Sequence, residues 1–413
     1  MDKHLSRRDF VKAGSSTAAL LASTPLVYAG GQDQTISVGL IGCGGRGTGA
    51  AQDCLSSSKN VRLVAMGDMF KDRLDGSRKQ LSKTDGYKVD DANVFTGFDA
   101  YKKVLDSGVD MVILATPPGF RPIHFAAAID AGKHVFFEKP VGVDPTGIRK
   151  VLEAGKKAKE KKLAVVTGTQ RRHETRYLET IKRIHDGAIG EIVAGRCYWN
   201  GSTPWVKPRR EGWNDMEYQL RNWYHFNWLC GDHIVEQHVH NLDVMNWVLK
   251  SHPVSAVAVG GKQVNTAPEF GNGWDHFGVD FTYPNDVHVL SMCRHWPNSP
   301  GNVSEAVVGT KGKSDCASWI SGPNEWKFQD KNNKPYVQEH ADLIESIRNG
   351  NPLNEAEQIA HSTLTAIMGR EAAYTGQVIK WDEFLKSPLD LMPEKLDFGP
   401  LQERPSAIPG KKG

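Results

Sequence analysis

The stretch ISVGLIGCGGRGTGAAQDCL (residues 36–55) decides how the first half of the chain folds. Its first six residues form an apolar run of strand length, which feeds directly into Gly42-Cys43-Gly44-Gly45-Arg46-Gly47 and then an alanine-containing helical segment. In a strand–loop–helix unit each glycine has its own task. Gly42 permits the tight turn, Gly44 lets the backbone approach a pyrophosphate, and Gly47 allows close packing of helix on strand. The helix N-terminus adds free N–H groups and a dipole that favours phosphate. Arg46, inside the loop, joins these glycines as a cofactor-binding candidate. Alone, the pattern also fits a glycine-rich surface turn.

The following run, VRLVAMGD (residues 61–68), sharpens it. Asp68 closes that run about 20 residues beyond the glycines, where a dinucleotide fold places a ribose-binding carboxylate. An acid there accepts hydrogen bonds from both ribose hydroxyls and repels a 2′-phosphate, so the expected cofactor is NAD rather than NADP. Three more short apolar runs follow, VDMVILAT (109–116), KHVFFEKP (133–140) and LAVVTGTQ (163–170), separated by helix-like segments. Strands and helices alternating at this length predict an α/β domain with a doubly wound parallel sheet and right-handed crossovers.

The segment ATPPGFRPIHFAAAIDAGKHVFFEKPVG (115–142) resembles the signature region of the glucose-fructose oxidoreductase / inositol dehydrogenase (Gfo/Idh/MocA) family. The resemblance implies cofactor-binding roles for the glycine loop, Asp68, Thr116, Pro117, His124, Glu138 and Lys139, with Gln170 closing the last parallel run. It also implies a cis bond before Pro140. Lys139 stands at a strand end facing the ligand crevice. A lysine there hydrogen-bonds a substrate hydroxyl and stabilises developing alkoxide, and partial burial lets it share the proton. An exposed strand-end lysine is the alternative.

After Gln170 the pattern changes. Alternating runs IVAGRCYWN, VSAVAVGGKQ, HFGVDFTYPNDVHVLSMCRHW and NVSEAVVGTKGKSDCAS, with few crossover helices, predict a C-terminal α+β domain built on a large, open, mostly antiparallel sheet. One face should pack on helices and the other stay free for ligand or subunit contacts, making a homo-oligomer through the open sheet the expectation. The segment GDHIVEQHVHNLDVMNWVL (231–249) reads as one helix with Glu236, His240 and Asp243 on one face. In the resembled family this helix carries an Asp followed four residues later by a His. His240 matches that histidine as general base, Glu236 takes the acid's place, and His238 stands where a glycine is usual, adding bulk near the sugar. His233, Glu236, His238 and His240 also invite a metal reading. His238 and His240, two apart, point to different faces of a helix, so no metal is expected.

Five tryptophans fall between residues 199 and 228, a density suited to stacking on sugar C–H faces, with Arg and Asn for hydroxyls. Trp223 and Arg171 are therefore substrate-binding candidates beside His238 and His240. Some of these rings could equally form core or an oligomer contact.

The reading divides the chain into a signal at 1–29, a nucleotide domain at 35–170, a catalytic domain at 171–385, and a proline-rich arm or disordered tail at 386–413. SRRDFVK (6–12) resembles a twin-arginine export signal, and the hydroxyl-rich apolar run 13–29 behind it is too short to span a bilayer. A periplasmic location and no lasting membrane insertion follow as expectations. The net charge of +3 over 413 residues gives no sign of a nucleic-acid surface. Six scattered cysteines without regular spacing suggest buried, neutral thiols.

The leading function is an exported, NAD-dependent oxidation of a secondary hydroxyl on a sugar or glycoside. NAD made in the cytoplasm is scarce outside, so an exported enzyme should fold around it, hold it tightly and recycle it in place. A redox-neutral glycosidase on the same fold is the alternative; glycosidase members of the family commonly lack the lysine. A non-catalytic sugar-binding scaffold fits poorly with an intact glycine loop, Asp68 and Lys139.

Overall fold

The computed structural model describes residues 34–410. The export-signal reading, on residues 1–29, lies outside them. The first sheet has six parallel strands: β1 (Ile36–Ile41), β2 (Val61–Asp68), β3 (Val94–Thr96), β4 (Met111–Leu114), β5 (His134–Phe137) and β6 (Val165–Thr167). Their order is β3-β2-β1-β4-β5-β6, the doubly wound arrangement the alternation predicts. The inner strands read as continuous apolar runs because helices cover both faces, and every residue of Met111–Leu114 is buried. Short β3 escapes notice in the sequence, since two half-buried residues and an exposed one carry no periodicity.

The second sheet has nine strands: β7 (Ile192–Gly201), β8 (Ser255–Gly261), β9 (His276–Tyr283), β10 (Val287–His295), β11 (Asn302–Gly309), β12 (Gly312–Ser314), β13 (Trp319–Ser321), β14 (Trp326–Lys327) and β15 (Ile379–Lys380). Their order is β14-β13-β12-β11-β7-β10-β9-β8-β15, antiparallel except where β7 runs parallel to β10. The run 302–318 is not one strand but a hairpin, β11 turning into β12.

Alternation along β10 shows how the sheet is used. Val289, Ser291 and Cys293 are buried while Leu290 and Met292 are exposed. The inner face meets the helices Val239–Leu249 and Ala356–Thr375. On the latter, a Cβ added at Gly369 would stand 2.8 Å from the Phe281 ring, so glycine sets that close approach. Ile359, Leu364 and Ile367 on the same helix are fully buried, each side chain contributing about 1.5–3 kcal/mol. The outer face keeps Val257, Val259, Leu290, Met292 and Val308 exposed.

Residues 386–410 form an ordered arm. Leu391 N–H donates to buried Asp144, and Met216 N–H donates to Gly399 C=O. No helix among the described residues is long and apolar enough to cross a membrane.

Candidate active site

The glycine loop is shaped by contacts that exclude a side chain. Gly42 has φ +97°, and a Cβ there would lie 2.6 Å from the Ala115 carbonyl carbon. At Gly47 a Cβ would stand 1.9 Å from the Gly42 carbonyl oxygen. Gly45 meets nothing within 4 Å and Gly44 only the Arg73 guanidinium at 3.7 Å, so the loop offers bare backbone toward the cavity. The helix Gly45–Ser57 follows without a side-chain cap among the described residues, leaving its first N–H groups to a ligand.

Asp68, at the end of β2, accepts from Cys43 N–H at 2.6 Å and Phe70 N–H at 2.8 Å. Burial pushes its carboxyl upward while these donors pull it back. Each oxygen keeps a lone pair for a ribose hydroxyl. A cavity of about 700 Å³ brings Asp68 together with Gly42, Gly44, Arg46, Gly47, Thr116, Pro117, His124 and Trp223. Thr116 Oγ1 lies 3.2 Å from His124 Nδ1, and the imidazole stacks on Phe120. Burial drives this histidine down to about 3, so it is neutral.

Glu138, Lys139, Gln170, Glu236 and His240 lie outside the lining of that cavity. Lys139 Nζ donates to the Glu236 carbonyl at 2.7 Å and lies 3.5 Å from its Oε1. The Lys139–Pro140 bond is cis. His240 stacks on Trp199, their ring centroids 5.9 Å apart. Burial first, then the charges of Lys139, Arg171 and Arg46, hold His240 well below its ordinary value, as a neutral acceptor. Burial raises the Glu236 carboxyl, against the pull of Lys139 and Arg121.

Arg46 and Glu138 bind each other, Nε to Oε1 at 2.5 Å. The same guanidinium reaches Glu339 at 3.2 Å and Asp53 at 3.4 Å and sits over Tyr336. Arg46 thus ties the glycine loop to the Glu-Lys-Pro turn instead of offering a free charge to phosphate.

The helix expected over 231–249 is broken. His233–Glu236 and Val239–Leu249 are separate helices with a turn at 237–238, so residues 236, 240 and 243 share no single helical face. Asp243 grips Arg172 with both oxygens, at 2.8 and 2.9 Å. His238 requires correction as a substrate contact. Fully buried, it bonds Ser291 Oγ at 2.7 Å beneath β7 and β10, and burial lowers it to about 3. The turn aims this imidazole into the core. Arg171 is likewise committed, to Glu305, although its charge still acts on His240. Among the described residues no group of three His, Cys, Asp or Glu is placed to hold a metal ion.

The tryptophans divide by role. Trp228 is buried and donates to Gln219, Trp213 stacks under Arg221, and Trp205 and Trp223 line the cavity. Two residues escape the sequence reading. Arg121, buried, joins Thr116 C=O at 2.9 Å to Pro140 C=O at 2.6 Å, bracing both strand-end turns. Glu305 holds Arg171, Tyr177 and Asn241, and its inward register with Val307 was the available signal.

The residues present fit a dinucleotide. The bare glycine cradle, the capless helix and Asp68 supply donors and acceptors for phosphate and ribose. Gln170 Oε1, outside the cavity lining, is buried without a hydrogen-bond partner among the described residues.

Comparison with known proteins agrees. Residues 36–167 match the model of the oxidoreductase family with NAD-binding Rossmann fold, and residues 177–314 match the GFO/IDH/MocA C-terminal domain. An inositol 2-dehydrogenase of Rubrobacter xylanophilus is 26% identical over 259 residues, 61% of this chain and 62% of that protein. A 2,7-anhydro-N-acetylneuraminate hydratase of Escherichia coli is 27% identical over 180 residues, 43% of each. The chain therefore spans less than two thirds of the length of these relatives. The scyllo-inositol dehydrogenase of Lactobacillus casei, solved with NAD(H) and scyllo-inositol, superposes with TM-score 0.64 at 20% identity, covering 84% of this chain and 99% of that one. With both halves matched to one family and the cradle built for a dinucleotide, this chain belongs to the GFO/IDH/MocA family of NAD-binding oxidoreductases.

Proposed function

We propose that this protein oxidises a secondary hydroxyl of a sugar, polyol or glycoside. The observation that carries the reading is Lys139, held on the Glu236 carbonyl at 2.7 Å and near enough for its charge to act on His240. Bound NAD supplies the hydride acceptor. Gly42, Gly44 and Gly47 would take its phosphates and Asp68 a ribose. Lys139 donates to the substrate oxygen and stabilises the negative charge that grows there. The Glu236 carbonyl and carboxylate hold the ammonium in place. His240 accepts the hydroxyl proton; burial, and then three nearby cations, make it a weak base at rest, and developing alkoxide offsets the cations' repulsion. The relatives named inositol 2-dehydrogenase support a cyclic polyol or sugar as substrate class.

A redox-neutral cycle is the second reading, favoured by the Escherichia coli relative named as a hydratase, since hydration leaves no net oxidation. Export by a twin-arginine signal at residues 6–12 and in-place recycling of tightly held NAD belong to the same proposal. So does assembly of copies through the exposed apolar face of the nine-stranded sheet.

The test offers inositols, aldoses and glycosides to the purified protein with NAD, scoring absorbance of reduced nucleotide against release of a leaving group. Reduced nucleotide or a keto product supports oxidation. Cleavage or hydration with no net reduction moves the function to the second reading, and failure to bind NAD removes both.

A further inference from the structure

The cavity beside Asp68 is not closed by the nucleotide domain alone. Trp205, Leu220 and Trp223 reach it from the catalytic domain, and Leu396 reaches it from the C-terminal arm. Two residues later Phe398 packs on Phe98, with centroids 5.3 Å apart, and on Phe70, at 6.2 Å. Both of those rings line the cavity too. The helix Asp215–Arg221 makes a second hold. Arg221 Nη1 donates to both oxygens of Asp72, at 3.2 and 3.1 Å, and its guanidinium lies 3.9 Å above the Phe70 ring.

Both holds fall just past Asp68, the acid that marks the adenosine ribose in this fold. Arm and helix are also bound to each other. Leu401 N–H donates to Asp215 at 3.2 Å, and Gln219 donates to the Leu401 carbonyl at 3.0 Å.

The strength of these holds differs along the arm. Its root at Leu391 is fixed by Asp144, which is 2% exposed. The contacts over the cavity are lighter: Phe398 is 43% exposed, and the Asp72 side chain 66%. An ion pair that open is screened by solvent and holds only weakly. The segment is anchored firmly at its ends and weakly across the cavity, which suits an element that must open.

We infer that residues 391–401 and the helix Asp215–Arg221 form a strap over the adenosine end of the dinucleotide site, and that this strap sets how long the cofactor stays. The inference rests on the NAD-dependent reading above and gives tight retention a physical basis. Phe398 and Arg221 are its clasps.

The experiment loads the full chain with NADH, adds excess NAD, and follows loss of nucleotide fluorescence, so no substrate is required. Phe398→Ala and Arg221→Gln should each speed dissociation at least about tenfold, since changes at one interface fall mostly on the off-rate. Arg221→Gln changes a partly exposed group and guards against a folding defect in the other variant. Asp68→Asn serves as the control for the nucleotide site. If Asp68→Asn weakens binding while both clasp variants dissociate within about twofold of the parent, the strap is wrong and the NAD reading stands. If the parent binds no NADH, both fall.

Discussion

At the glycine-loop end of the cleft, shape comes from backbone within one short stretch. Gly42 and Gly47 pack against carbonyl and amide atoms that leave no room for a methyl group, and Asp68 is held by two backbone N–H groups. At the Lys139 end, shape comes from side chains far apart in sequence. Lys139 meets Glu236, Arg46 meets Glu138 and Glu339, and Arg171 meets Glu305. The first end is specified by what residues lack, the second by buried charge pairs that must find each other after both domains have formed. A backbone cradle fails by steric exclusion. A charge network fails by leaving one member unpaired.

That contrast can be broken in four places. Gly47→Val should have the largest effect, because its Cβ would meet the Gly42 oxygen at 1.9 Å. We expect loss of NADH binding by fluorescence titration and destabilisation of about 3 kcal/mol or more in denaturant melts. A near-parental melt would show that the loop yields, against the rigid cradle. Lys139→Met should lower kcat by about 10²–10³, the cost of removing a donor to a developing oxyanion, while nucleotide affinity stays within severalfold. Equal losses in both would make this lysine mainly a cofactor ligand.

His173 sharpens the comparison through pH. Its Nδ1 lies 2.5 Å from Asp342 and its Nε2 3.2 Å from Glu355, and these acids raise it to about 10 against the opposing effect of burial. A histidine raised in the folded state contributes stability that is fully present below about pH 6.5, its unfolded value, and is lost as pH rises toward about 10. His173→Gln should therefore cost about 2 kcal/mol at pH 6 and clearly less at pH 10. A cost independent of pH would mean the imidazole acts by shape alone. The smallest effect is expected at His238. His238→Gln should cost about 1 kcal/mol of stability through the lost Ser291 bond, leaving substrate KM within about twofold. A tenfold change in KM would return this residue to the substrate site.

The same contrast explains what sequence alone discloses. The loop, Asp68, the parallel sheet and the open second sheet follow from local pattern, because spacing along the chain maps directly onto strand, turn and helix. The helix at 231–249 does not, since hydropathy carries no mark of the turn at 237–238; with it the aim of His238 is lost. The roles of Arg121 and Glu305 depend on partners up to 134 residues away. Short strands such as β13 and β14 are stabilised by their neighbours rather than by propensity. The arm, polar and proline-rich in composition, is ordered because a few apolar residues, Leu391, Leu396 and Leu401, find a cluster around Phe226 and Trp228.

All six cysteines are free and buried, and burial pushes their thiols upward, Cys54 to about 12. The thiolate is the form that pairs and oxidises, and here it is almost absent at neutral pH. The fold therefore draws nothing from cross-links and offers little to an oxidant. A move between reducing and oxidising surroundings would leave these thiols as they are.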